Sequence, residues 1–249
     1  MEMGPLRADD IQAGRVGDGG VQASCAWRPT LVWVGVLFLL SRPGAAETAR
    51  VVAPSVLLDA AQALPELTLD MPYARRDNFT GTILYPRARC LLRPAVMKML
   101  AQAQAQLAAR VPPLRLIAKD CYRPDSVQRR LWAAVRGTRR RGYVADPDSP
   151  MGSVHSYGAA VDVSLADAAG QELDMGTPYD FLGSRAEPRR EAEMLAAGVL
   201  TAQQIASRAI LRTAMQEAGF KSISNEWWHF DAWRSAALRQ RYQRLDLPL

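Results

Sequence analysis

Histidine occurs only twice in these 249 residues, at His155 and His229, and both lie in segments dense with other metal-binding or catalytic side chains. His155 sits in the run from Ser153 to Asp162 (SVHSYGAAVD), and His229 closes Asn225-Glu-Trp-Trp-His-Phe230. Histidine is the commonest metal ligand, and a catalytic zinc takes three protein ligands while leaving a fourth position open; Asp162 completes such a set with the two imidazoles. The chain offers no other pair of histidines, so a metal centre of this kind requires a fold that brings two distant segments to one point. His155 and Asp162 are too far apart for one helical turn, but a path from loop into strand can aim both at one place.

The intervening pattern supplies such a path. Val96, Met99, Leu100, Ala103 and Leu107 recur at helical spacing between Pro94 and Arg110, and Val111-Pro-Pro113 stops them. Leu114 to Ala118 then reads as a strand delivering Asp120-Cys-Tyr-Arg-Pro124 at its end, and a second helix carries Val127, Leu131, Trp132 and Val135. Asp146 to Gly152 is turn chemistry. Ala159 to Leu165 reads as a strand with Val161 and Val163 on one side and Asp162 on the other. Thr201 to Ala218 is predicted helical, with Ile205, Ala209, Arg212 and Met215 on a mixed face and Gly219 as its stop. Phe220 to Phe230 reads as a single returning strand that carries Glu226 and His229, which places the two on opposite sides unless a bulge or turn intervenes.

The amino-terminal part is of a different kind. Leu31 to Leu40 (LVWVGVLFLL) is an unbroken apolar run preceded by Arg28 and followed by Gly44 and Ala46, small residues that suit a cleavage site. A run of this length covers about half of a ~30 Å hydrocarbon core, so a cleaved secretory signal is expected, with an uncleaved anchor as the alternative. Residues 1–46 are thus read as extension plus signal and 47–249 as the functional domain, exported and periplasmic, with no stable membrane span after cleavage. The formal net charge is +6. Residues 1–46 are charge-balanced, so this surplus stays in the mature part. The cluster Arg136, Arg139, Arg140 and Arg141 lacks interleaved aromatics and any nucleic-acid motif, which argues against a nucleic-acid partner. Cys25 leaves with the signal. Cys90 and Cys121 remain, a pair that an oxidising compartment invites into a disulfide, with two buried thiols as the alternative.

Around the candidate ligands stand the parts a hydrolase needs. Glu226 is the candidate base for a metal-activated water, and Arg123, permanently charged at a strand terminus, is the candidate donor to the oxyanion. The ordered motifs Asp-x-Tyr-Arg-Pro at Asp120 to Pro124, Ser-x-His-x-x-Gly-x-Ala-x-Asp at Ser153 to Asp162 and Glu-x-Trp-His at Glu226 to His229 together resemble the D-alanyl-D-alanine dipeptidases, zinc peptidases of the VanX type. Tyr73-Ala-x-x-Asp-Asn-Phe-Thr-Gly81 and Asp174-Met-Gly-x-x-Tyr-Asp-Phe181 extend the likeness. The resemblance implies an α+β single domain with a central antiparallel sheet flanked by helices and the zinc site at the sheet. It further implies one zinc ion per chain on His155, Asp162 and His229, with Glu226 as base and proton donor and Arg123 on the oxyanion. Asp180 and Ser153 would hold the amine and carboxylate of a small D-amino-acid dipeptide. The resemblance places this reaction in cell-wall peptide metabolism; whether it serves resistance, recycling or nutrition, and the oligomeric state, stay open. The competing readings are a D,D-carboxypeptidase or endopeptidase on longer wall peptides, and a wall-binding module without catalysis.

Overall fold

The structure, a computed structural model, describes residues 56–110, 112–233 and 236–249. The extension and signal read at residues 1–46 lie outside the described residues, among which no helix is long and apolar enough to cross a membrane. The elements follow in the order β1 (Leu58–Asp59), α1 (Ala60–Ala63), β2 (Thr68–Leu69), β3 (Leu91–Leu92), α2 (Pro94–Ala108), β4 (Arg115–Asp120), α3 (Asp125–Val135), β5 (Ala160–Ala166), α4 (Glu191–Ala196), α5 (Ala202–Glu217), β6 (Lys221–Ser222), β7 (His229–Asp231) and α6 (Ala236–Arg241). Short 3-10 turns punctuate them, one of which, Val154–Tyr157, carries His155.

Five strands form the central sheet in the order β2-β4-β5-β7-β6. Every pair is antiparallel except β2 with β4, which is parallel. α2 begins on Pro94, whose missing N–H and fixed φ suit a first helical position. It buries Val96, Met97, Leu100, Ala103, Gln104 and Leu107 and packs with α5 behind β4 and β5. Even its polar member is used, since Gln104 Oε1 accepts the Leu116 N–H at 2.8 Å. All seven residues of β5 are buried, so both of its faces are covered and Asp162 is enclosed.

Two sequence expectations are corrected. Phe220 to Phe230 is not one strand: Lys221 pairs with Asp231 and Ser222 with Phe230, so the segment folds back as a hairpin whose loop, residues 223–228, contains Glu226. Ser224 and Asn225 supply the bend. The buried stripe of α5 is Ser207, Arg208, Leu211, Ala214 and Met215, rotated from the expected face, of which only Met215 is shared. The rotation accommodates a buried Arg208, whose guanidinium donates to the Met175 carbonyl (2.7 Å) and the Arg185 carbonyl (3.0 Å). This arginine pins the long segment that carries Asp180 against the sheet. The helix itself starts on a capping box between Thr201 and Gln204, and Gly219 follows it at φ +98°.

Candidate metal centre and active site

Sheet register explains how three strands reach one point. Asp120 of β4 is opposite Asp162 of β5, and Asp162 is opposite His229 of β7. Side chains of directly paired residues project from the same face, so one row of the sheet presents two carboxylates and an imidazole together. His155 comes from outside the sheet, on the 3-10 turn that ends at Gly158 in the left-handed region (φ +68°) just before β5. His155 Nε2 lies 3.1 Å from His229 Nδ1 and 3.3 Å from Asp162 Oδ1, and His229 Nδ1 lies 2.9 Å from Asp162 Oδ1. Bonds of about 2.0–2.1 Å at tetrahedral angles set donor separations near ~3.3 Å, so the three atoms stand close to the edges of a zinc-sized tetrahedron. Among the described residues this is the group of histidine and carboxylate donors that could hold a metal ion.

The far side of each donor is engaged. His155 Nδ1 donates to the Cys121 carbonyl at 2.6 Å, and His229 Nε2 donates to Asp231 Oδ1 at 2.8 Å, so each imidazole in its neutral form turns the lone pair of its other nitrogen toward the remaining donors. Asp162 Oδ2 accepts from the Tyr179 hydroxyl at 3.0 Å. Burial pushes the Asp162 carboxyl up, but the two histidines outweigh it and hold the group below the usual carboxylate range. For His229 burial acts downward, and Asp231 with Asp162 overcomes it, so the metal-free imidazole holds its proton well above the ordinary histidine range.

Arg123 is clamped rather than free. Nε and one terminal nitrogen donate to Asp120 Oδ2 (2.8 and 2.5 Å), and the other terminal nitrogen donates to Gln128 Oε1 (2.8 Å). Asp120 is itself fixed by the Tyr85 hydroxyl at 2.7 Å and the Cys121 N–H at 2.9 Å. These bonds use three of the five guanidinium N–H groups and leave one on each terminal nitrogen. Arg123 is thus an ion-pair partner of Asp120 and still has N–H groups for a second role. Glu226, in the hairpin loop, makes no hydrogen bond among the described residues, and burial pushes its carboxyl up to about 8, with Asp162 adding to this and His229 and Arg123 opposing it.

Arg123, Ser153, Asp180 and Glu226 line one cavity of about 300 Å³ with the three donors. Asp180 is the described non-glycine residue at positive φ (61°), and its Oδ2 is shielded from solvent with no hydrogen-bond partner among the described residues. Burial raises its carboxyl well above the usual range; Tyr73 and Arg123 pull it down, Asp162 and Glu226 push it up. A neighbouring cavity of about 660 Å³ shares Phe79, Asp180 and Leu182 with the first. Cys90 and Cys121 are joined in a disulfide with sulfurs 1.96 Å apart.

The structure thus brings Arg123, Ser153, His155, Asp162, Asp180, Glu226 and His229 to one cavity, with the Cys121 carbonyl beside His155. The sequence reading missed Asp231, Tyr179 and Gln128. Asp231 was within reach, because residues two apart on a strand share a face and Asp231 follows His229 by two.

A buried donor triad of two histidines and an aspartate, opening into a cavity with a carboxylate and an arginine, defines the class as a metallohydrolase on an α+β fold. The family model for D-ala-D-ala dipeptidases of the peptidase M15 group matches residues 54–247. The D-alanyl-D-alanine dipeptidase of Escherichia coli K12 is 35% identical over 181 residues, covering 73% of this chain and 86% of that protein. That of Synechocystis is 30% identical over 196 residues (64% and 74%), and that of Enterococcus faecalis 31% over 182 residues (65% and 83%). The chain belongs to the D-alanyl-D-alanine dipeptidase family of metallopeptidases.

Proposed function

We propose that this protein hydrolyses the free dipeptide D-Ala-D-Ala to two molecules of D-alanine. The observation that carries the reading is the convergence of His155, Asp162 and His229 with Glu226 and Arg123 on one cavity of about 300 Å³, a size suited to a small peptide. The donor set fits zinc: two neutral imidazole nitrogens and one carboxylate oxygen, with a position left open. His155, Asp162 and His229 would hold the ion, which when bound supplies a Lewis acid and acidifies the attacking water.

The remaining chemistry belongs to side chains. Ionised Glu226 takes a proton from the water as its oxygen attacks the peptide carbonyl, then passes that proton to the leaving amine nitrogen when the C–N bond breaks. Its lack of other hydrogen bonds leaves its oxygens available for both transfers. Arg123 offers its two uncommitted N–H groups to the oxygen that becomes negative, and the Asp120–Gln128 clamp fixes it in place before reaction begins. Asp180 takes the free ammonium of the substrate, which supplies the partner its shielded oxygen lacks, and the Ser153 hydroxyl donates to the terminal carboxylate.

A second reading, a carboxypeptidase on longer wall peptides, draws support from the adjoining cavity of about 660 Å³. We further propose export to the periplasm on the Leu31 to Leu40 run, supported by the Cys90–Cys121 bridge, since disulfides persist in oxidising compartments. Release of free D-alanine by the zinc-loaded protein tests the reaction, comparing D-Ala-D-Ala, its amino-blocked form and a stem peptide ending in D-Ala-D-Ala. The dipeptide is expected to be cleaved and the blocked form to be spared; preference for the longer peptide establishes the carboxypeptidase, and silence on all three revives the binding module.

A further inference from the structure

Cys90 and Cys121 are wholly buried, and their bridge spans 31 residues of chain. Cys121 follows directly on Asp120, the last residue of β4, and from Cys121 to Pro124 the chain has left the ladder. This short span carries two parts of the site. The Cys121 carbonyl accepts from His155 Nδ1 at 2.6 Å, and the Arg123 N–H donates to the His155 carbonyl at 3.3 Å, so the ring and the backbone of His155 are both referenced to it. Arg123, the proposed oxyanion donor, is on the same span.

The side chains of the span are held on one flank, where the Tyr122 hydroxyl accepts from the Leu247 N–H at 2.7 Å and Asp120 and Gln128 clamp Arg123; toward Leu91 its backbone has a weaker tie. Tyr122 N–H donates to the Leu91 carbonyl at 3.0 Å, but Leu91 belongs to β3, a two-residue strand that among the described residues pairs with the two-residue β1 alone. A ladder that short is marginal by itself. The covalent tie from Cys121 to Cys90, the residue before β3, holds the two pieces in register where hydrogen bonds are few.

We infer that the Cys90–Cys121 disulfide is a positioning element of the metal centre: it sets the Cys121 carbonyl that aims His155, and through it the affinity for zinc. The inference rests on His155 being a zinc ligand. A partner on the far nitrogen of a ligating histidine fixes its tautomer and ring orientation, and losing one costs about 10–100-fold in metal affinity. Breaking the bridge leaves the carbonyl present but free to drift, so the lower end of that range, about tenfold, is expected.

The test is zinc affinity by chelator competition, well below the melting temperature, on three forms of the protein. These are the oxidised wild type, the wild type produced and held reduced with a phosphine, and Cys90→Ala, which removes the bridge and leaves Cys121 in place. In the reduction the S–S bond takes two electrons from the phosphine and two protons from water, giving two thiols, while the phosphine keeps the water oxygen as its oxide. A dithiol is avoided because its own thiolates bind zinc. Both bridge-free forms should bind zinc about tenfold more weakly and alter the visible spectrum of the cobalt-substituted protein, and reoxidation of the reduced wild type should restore both.

A bridge that merely braces the fold lowers the melting temperature and leaves zinc affinity and cobalt spectrum unchanged, which overturns the inference. Failure of both bridge-free forms to fold, read by circular dichroism, also overturns it, because the bridge is then a condition of folding and not of metal geometry. Absence of stoichiometric zinc from the oxidised wild type refutes the ligand assignment itself and is seen before the forms are compared.

Discussion

The two ends of the active-site cavity are built in opposite ways. At the metal end each donor is engaged on its far side, His155 by the Cys121 carbonyl, His229 by Asp231 and Asp162 by Tyr179, and the donors stand on or beside a fully buried strand. At the other end Asp180 sits in a loop at φ +61° with one shielded oxygen, Oδ2, that has no hydrogen-bond partner among the described residues. Geometry at the metal end is over-determined before anything binds, whereas the opposite end stores an unsatisfied acceptor that a cationic group would complete. The contrast matches what each end has to do: hold reacting groups still, or discriminate by offering a buried charge only one kind of partner.

The largest effects should separate the ligands from the base within the ordered end. His155→Ala removes a donor that nothing nearby replaces, and the purified variant should carry no stoichiometric zinc by elemental analysis and no D-alanine release. Glu226→Ala should keep zinc and fold while turnover drops by at least about 100-fold, the usual size of a general acid–base contribution. Full metal in the first variant, or substantial turnover in the second, would break the assignment of roles at this end.

Asp231 tests whether the second partners matter. Asp231→Asn should weaken zinc binding by about 10–100-fold in chelator competition. The pH dependence sharpens this. In the metal-free protein Asp231 and Asp162 hold the His229 proton well above its ordinary range despite burial, and zinc must displace that proton. Wild-type zinc affinity should therefore keep rising with pH beyond the ordinary histidine range. In the variant the plateau should come at lower pH, because the carboxylate that raised His229 is gone. The metal-free wild type also draws stability from protonated His229 below the ordinary histidine range and loses it as pH rises through the raised value.

The same contrast governs what could be read from sequence. Rare residue types in tight motifs made the metal end legible: two histidines, one aspartate at strand alternation and an arginine at a strand end all fell where expected. The hairpin from Phe220 to Phe230 did not, because that stretch has neither glycine nor proline and reads as continuous β sequence, while its turn rests on Ser224 and Asn225. The rotation of α5 was hidden because a buried Arg208 counts against burial until its acceptors, the Met175 and Arg185 carbonyls, are known, and those come from a distant segment. Gln128 was invisible for a related reason, since its partners Arg123 and the Ala145 carbonyl meet only in three dimensions.

The smallest expected effect lies at the strained end and runs in two directions at once. Burial raises the Asp180 carboxyl above the usual range, so the folded metal-free protein binds that proton more tightly than the unfolded chain and loses stability as pH rises from the ordinary carboxylate range toward the raised value. Asp180→Asn removes the ionisation, and the metal-free variant should melt a few degrees higher than wild type at neutral pH, with the gap closing as pH falls below ~4, where Asp180 becomes protonated in the unfolded chain as well. The same change removes the charge offered to the substrate ammonium, so KM for D-Ala-D-Ala should rise about tenfold, the lower end expected for a hydrogen bond to a charged group. The amino-blocked dipeptide, which has no ammonium to lose, should show no such change. Higher stability with unaltered KM would mean that the unpaired oxygen is a local strain with no part in recognition, and the two ends of the cavity would then differ in construction but not in purpose.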